Sequence, residues 1–452
     1  MTRWYAERAW LGFDAGLVEG VLVTTDGDRI TAVATDAAPT ADAVRLPGLL
    51  IPGLVNAHSH AFHRALRGRT HAGKGDFWSW REQMYAVAAN LNPDTYRDLA
   101  RATYAEMVLA GITTVVEFHY LHHGPGGRPY DDPNAMGHAL AAAAGEAGIR
   151  LVLLDTCYLQ SDVDGTPLSG PQLRSTDGDA SAWATRASAG PASGAAIHSV
   201  RGCPPDAMRT VVEWAADRPA PTPAGSTAAA PGQAPLHIHL SEQRRENEVC
   251  LAVHGLTPTQ LCGETGVLGP AVTAVHATHL TDDDIKLLGE TRTGVCFCPT
   301  TERDLADGAG PAAALVRAGA GLSLGSDSHA VIDLFEEARA VELNERLVTE
   351  RRGHHSAAAL LHAATSGGAY AAGLGTAAGR IAVDAVADFV AVRLDSVRLA
   401  GAADPVAAVV FAATASDVSH VVTGGRLTVA DGVPGKVGDV GQALDAAIRA
   451  VL

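Results

Sequence analysis

The chain has 452 residues, 47% of them hydrophobic and 19% charged, which excludes a disordered chain and leaves room for a barrel plus an accessory domain. Its 50 acidic residues against 34 basic ones give a formal charge of −16, and no basic stripe offsets it, so nucleic acid and anionic membrane surfaces are poor partners. No apolar run has the roughly 20 residues needed to cross a bilayer. The start, Met1-Thr2-Arg3-Trp4, lacks a basic region followed by an apolar one, and the six cysteines, Cys157, Cys203, Cys250, Cys262, Cys296 and Cys298, lack disulfide-framework spacing. Both features predict a cytoplasmic protein with reduced thiols.

Up to about residue 50 short β-like stretches alternate with turn signals such as Thr25-Asp26-Gly27-Asp28. The apolar run from Leu49 to Val55 reads as a buried strand that closes on His58-Ser59-His60. A helix is predicted over 93–110, then strands at 114–118 and 151–154. The polar, Gly/Ser-rich stretch 160–194 reads as a loose loop near the active face, either a lid or decoration. The Pro/Ala/Gly-rich segment 217–234 reads as an exposed insertion with no catalytic role. Further strand-like runs end on His237-Ile238-His239-Leu240-Ser241-Glu242, on Val275-His276 and on Leu324-Gly325-Ser326-Asp327-Ser328-His329. Cys296-Phe297-Cys298 has a spacing unlike that of zinc pairs and reads as core. A helix is expected at 333–348, sheet strands near 387–392 and 419–425, and a closing amphipathic helix from Val440 to Leu452.

Helices alternating with short apolar strands predict a parallel βα architecture. The expectation is an α/β protein: a (β/α)8 TIM-type barrel over 51–380, a small β-sandwich from 1–50 and 381–435, and a C-terminal helix over 436–452. Two histidines at i and i+2 share one face of a strand and can grip one metal ion. Side chains at the C-terminal ends of several strands build the active site of such barrels, so the four clusters point to a mononuclear metal site.

These motifs resemble the amidohydrolase superfamily: His-x-His after the first barrel strand, His on the fifth, His on the sixth and Asp on the eighth. Within it the chain is similar to the formimidoylglutamate deiminase family. The residues that carry this are Asn56-Ala57-His58-Ser59-His60-Ala61-Phe62, Phe77-Trp78-Ser79-Trp80-Arg81-Glu82, Glu117-Phe118-His119-Tyr120-Leu121-His122-His123, His239-Leu240-Ser241-Glu242-Gln243, His276-Ala277-Thr278-His279 and Gly325-Ser326-Asp327-Ser328-His329.

The resemblance implies a barrel with a β-sandwich from both chain ends and one Zn²⁺, with Fe²⁺ or Mn²⁺ as alternatives, on His58, His60, His239 and Asp327. His237 is then a packed strand residue. It implies Glu242 as general acid, Asp327 also as general base, and His276 as the group that stabilises the tetrahedral intermediate or holds the water. His279 is expected to be a core histidine. The implied reaction is hydrolysis of N-formimidoyl-L-glutamate to N-formyl-L-glutamate and ammonia in histidine degradation. Arg81, Tyr120, His198 and Arg201 match the family's carboxylate-binding positions. Where the family commonly has glutamine this chain has His63, which is expected to contact the substrate. The implied partners are a small anionic, amino-acid-derived substrate and a second copy in a homodimer. The alternatives are a guanine or adenosine deaminase on the same metal set, and a noncatalytic binding protein on a degenerate barrel, although no ligand or acid position is missing.

Overall fold

The computed structural model describes residues 1–70, 77–222 and 232–452. Eight parallel strands line up in sequence order: Leu54–Ser59, Ile112–His119, Arg150–Cys157, Gly194–Ser199, Leu236–Leu240, Val272–His276, Gly294–Phe297 and Leu322–Leu324. The strands are short, rich in β-branched residues and mostly buried, as a sheet covered on both faces requires. The barrel nearly closes, through a parallel bridge between Ser59 and Asp327. Asp327 N–H donates to His58 O at 3.0 Å and His60 N–H to Asp327 O at 3.3 Å, so closure itself seats Asp327 beside the His-x-His pair.

Both chain ends join in a nine-stranded mixed sheet with a hydrophobic core of its own around Trp4, Val21, Ile30 and Phe389. Leu49–Pro52 is the hinge of that assembly. It pairs parallel with Thr2–Trp10 and antiparallel with Phe389–Val392, and the chain then enters the barrel two residues later. Gly48 makes this approach possible: its φ is +89°, and a Cβ there would lie 2.0 Å from Val392 O. The helix Pro93–Leu109 starts on Asn92, whose side chain accepts from the N–H groups of Asp94 and Thr95, and it packs against the terminal helix Val440–Arg449.

The stretch 160–194 differs from its expectation. It holds a 3₁₀ turn, Gly170–Ser175, and an α-helix, Ala180–Ala189, capped by Asp179. Two buried arginines are the reason. Arg174 donates to the carbonyls of Leu91 at 2.7 Å, His123 at 2.8 Å and Ala88, while Arg186 reaches Asp155 and Asp177 at 2.8 Å each. Arg174 thereby ties this segment to the end of the helix Phe77–Ala89, which carries Trp80, Arg81 and Met84 to the mouth of the barrel. The insertion expected at 217–234 lies largely outside the described residues. Its two ends meet in an antiparallel bridge between Pro219 and Gln233.

Candidate active site

Four side chains from three places in the barrel converge. His58 and His60 lie at the end of the first strand, His239 in the fifth and Asp327 just beyond the eighth. Asp327 Oδ1 is 3.4 Å from His58 Nε2 and 3.5 Å from His60 Nε2, and His239 Nε2 is 3.1 Å from His58 Nε2. The donors of His58, His60 and His239 lie within 4.8 Å of one another, and overlapping groups add Asp327, His276 and His63. The hydrogen bonds decide the tautomers, since a carbonyl can only accept. His60 Nδ1 donates to Phe118 O at 2.9 Å and His239 Nδ1 to His198 O at 2.8 Å, which leaves both Nε2 lone pairs aimed inward.

Burial pushes His60 down to about 3, and pushes His58 and His239 down as well, so all three are neutral donors. For Asp327 burial opposes ionisation, but the hydrogen bond with His58 and the charge of His276 outweigh it and hold the carboxyl far below the usual range. Buried lone pairs converging on a carboxylate fit one divalent cation with three nitrogen ligands and one oxygen ligand. Ser241, His276, Asp327 and His329 hold left-handed φ values of 50°, 69°, 40° and 59° at the strand ends, strain concentrated at the site.

Around the four lies a second ring. Glu242 Oε2 accepts from Arg201 Nη2 at 2.9 Å, and its Oε1 is 3.7 Å from His276 Nε2. His276 Nε2 also faces Asp327 Oδ2 at 3.9 Å, while its Nδ1 faces Glu302 Oε1 at 3.5 Å. Burial works against a charge on His276, yet Glu242, Glu302 and Asp327 together raise it to about 10. Glu246 Oε2 is 3.2 Å from Arg201 Nε. Burial lifts Glu246 to about 7 despite that guanidinium. Glu302 and Glu246 went unseen in the sequence, because each sits on a helix following a strand and belongs to no motif. Glu117 was within a quoted motif but had no role. It accepts from Ser59 Oγ at 2.7 Å and Ala61 N–H at 2.6 Å, clamping the turn after His60.

A cavity with about 540 Å³ of free space, counted to its open mouth, rises from this floor. The expected substrate residues His63, Arg81, Tyr120, His198 and Arg201 all line it, together with Glu242 and Asp327. His63 Nε2 and Tyr120 OH share a 2.8 Å hydrogen bond, and His198 stacks on Tyr158 with ring centres 3.9 Å apart. The walls also carry Trp80, Met84 and Tyr158, none of them singled out as site residues beforehand. Arg201 is on the wall yet engaged by two glutamates, an arrangement not legible in the sequence. His237 bonds to Ala371 O at 2.8 Å, away from the cavity, and His279 is half-buried outside the metal group. Cys296 and Cys298 are free and packed with Ala57 and Val275. No helix among the described residues is long and apolar enough to cross a membrane.

Comparison with known proteins agrees with this geometry. Residues 49–428 match the model of the amidohydrolase family. The chain is 33% identical to formimidoylglutamate deiminase of Pseudomonas aeruginosa over 96% of its length and 95% of the relative's. It is also 31% identical to 8-oxoguanine deaminase of the same species, over 93% and 91% of the two chains. Among solved structures an amidohydrolase from Brucella melitensis superposes with a TM-score of 0.88 at 29% identity, covering 100% of both chains. An adenosine deaminase from Xanthomonas campestris with bound zinc has the same fold, at a TM-score of 0.81 and 24% identity over 99% and 97% of the two chains. The chain belongs to the amidohydrolase family.

Proposed function

We propose that this enzyme hydrolyses the imino group of N-formimidoyl-L-glutamate, releasing ammonia and N-formyl-L-glutamate. Arg81 carries the reading. Its guanidinium lines the cavity with its centre 4.5 Å from the Trp78 ring, and it meets no carboxylate among the described residues. A cation on the wall of a strongly acidic protein that no carboxylate among the described residues meets suits an anionic ligand. The identity with formimidoylglutamate deiminase over almost the whole chain supports the same substrate.

His58, His60, His239 and Asp327 would hold the metal, zinc by analogy with the relatives, and when bound it would make water nucleophilic near neutral pH. The remaining steps belong to the chain. Asp327 accepts the water's proton as the oxygen–carbon bond forms at the formimidoyl carbon. His276, between Glu242 and Asp327, donates from Nε2 to the charge developing on that oxygen. Glu242 then protonates the terminal nitrogen. That proton is the one Asp327 took from water, and Asp327 takes the second from the added hydroxyl as the carbonyl forms. With both protons on the terminal nitrogen the carbon–nitrogen bond breaks, ammonia leaves, and the bond to the glutamate nitrogen survives as the formamide. Arg81, with the Tyr120 hydroxyl, His63 and His198, would hold the substrate's carboxylate groups.

A planar nucleobase is the second reading, favoured by Phe77, Trp80 and Tyr158 on the cavity wall and by the similarity to 8-oxoguanine deaminase. Ammonia release from N-formimidoyl-L-glutamate, guanine and adenosine, each with a metal-stripped control, separates the two. Metal-dependent release from the first alone is expected, and release only from a nucleobase would replace the reading. We also propose its setting, a cytoplasmic homodimer in histidine degradation; sedimentation tests the dimer and fractionation the compartment.

A further inference from the structure

We infer, building on the deiminase reading, that Arg201 and Glu246 form a gate on Glu242 that only a substrate carboxylate opens. Arg201 is buried and spans two carboxylates, with Nη2 on Glu242 Oε2 at 2.9 Å and Nε on Glu246 Oε2 at 3.2 Å. The two glutamates are not equivalent. Glu246 is 1% exposed, lies on the helix Arg244–His254, and accepts the Ser241 N–H on its other oxygen at 3.2 Å, so it is fixed. Glu242 and Arg201 both line the cavity, so their contact is on the wall that an incoming ligand meets. The Phe77 ring, 5.4 Å from the guanidinium centre, packs against Arg201 from the cavity side.

Glu242 is faced on both oxygens, by the Arg201 guanidinium at 2.9 Å and by the His276 imidazole at 3.7 Å. An oxygen that accepts the guanidinium hydrogen cannot at the same time deliver a proton to a leaving nitrogen. A substrate carboxylate offers Arg201 an equivalent charge-assisted partner, so exchanging it for Glu242 leaves the ionic balance around Arg201 unchanged while Glu246 keeps the guanidinium in place. Glu242 is then released towards the reacting centre. An amidine of the same reach that lacks a carboxylate fits the floor of the site but leaves Glu242 held. The substrate carboxylate therefore raises kcat as well as lowering KM, which is remote binding energy spent on the chemical step.

The test uses zinc-loaded wild type with N-formimidoyl-L-glutamate and with N-propylformamidine, the latter with and without propionate. Propionate is expected to raise kcat on N-propylformamidine about tenfold, the effect of freeing one charge-assisted hydrogen bond. Arg201→Met is expected to turn over N-propylformamidine faster than wild type and to ignore propionate, while its KM for N-formimidoyl-L-glutamate rises. A wild type that processes N-formimidoyl-L-glutamate but shows no propionate effect on N-propylformamidine overturns the gate alone, whether or not the variant folds. Inert N-formimidoyl-L-glutamate overturns the substrate reading and the gate with it.

Discussion

Gly325→Ala should disarm the site without touching any functional side chain. A Cβ at this position would lie 2.6 Å from His58 Cβ, 2.9 Å from His58 O and 2.9 Å from Cys298 Sγ, whereas ordinary contact begins at 3.4 Å. The shortfall against His58 is 3.4 − 2.6 = 0.8 Å, and backbone on one side and a packed thiol on the other block an easy escape. Overpacking of this kind costs about 1–3 kcal/mol, which a barrel of this size survives. The function does not survive, because His58 is a proposed ligand and Asp327, two residues on, is another. A misplacement approaching 1 Å costs on the order of 100-fold in rate. The expected variant is soluble, with a wild-type circular dichroism spectrum, reduced metal content after dialysis and about 100-fold lower kcat. Full metal content with wild-type turnover would refute the idea that barrel closure at Gly325 sets the ligand geometry.

Three further outcomes follow from the site. Arg81→Met should raise KM for N-formimidoyl-L-glutamate about 10- to 100-fold, as loss of one hydrogen-bonded charge implies, with a smaller change in kcat; steady-state kinetics read both. His63→Ala should also raise KM, because it removes the imidazole bonded to Tyr120 OH at 2.8 Å on the cavity wall, and an unchanged KM would take His63 out of the substrate contacts. In metal-stripped protein the His276 imidazolium is held up to about 10 against an ordinary 6.5, the Glu242, Glu302 and Asp327 carboxylates outweighing burial. Because the folded value is the higher one, that stabilisation is fully present below pH 6.5 and fades as pH rises through 10. The Tm gap between metal-stripped wild type and Glu302→Gln should therefore narrow from pH 6.5 to pH 10.

The barrel and its metal cluster were legible because each relevant residue closes an apolar, strand-like run, and strand ends are where this architecture collects function. The clusters that hold His58, His60, His239 and Asp327 could be placed that way, while the choice of these four as ligands, and of His237 as a packed strand residue, came from the family resemblance. What escaped was held by long-range partners. Glu246 and Glu302 look like solvated helix residues until Arg201 and His276 are seen beside them. Stretch 160–194 reads as loose from its composition, yet Arg174 finds three carbonyls and Arg186 two carboxylates that lie far off in sequence or on the far side of a turn. Buried polar networks obey pairing rules and have no period, so hydrophobic patterning passes over them.

In the proposed reaction water attacks the formimidoyl carbon and only the terminal nitrogen departs. Substrate labelled with ¹³C at that carbon, incubated with zinc-loaded protein in ¹⁸O water and followed by NMR and mass spectrometry, tests it most directly. The expected products are ammonia and N-formyl-L-glutamate carrying one ¹⁸O in the formyl group. Formamide with free glutamate, or unchanged substrate from a protein that deaminates guanine, would contradict it.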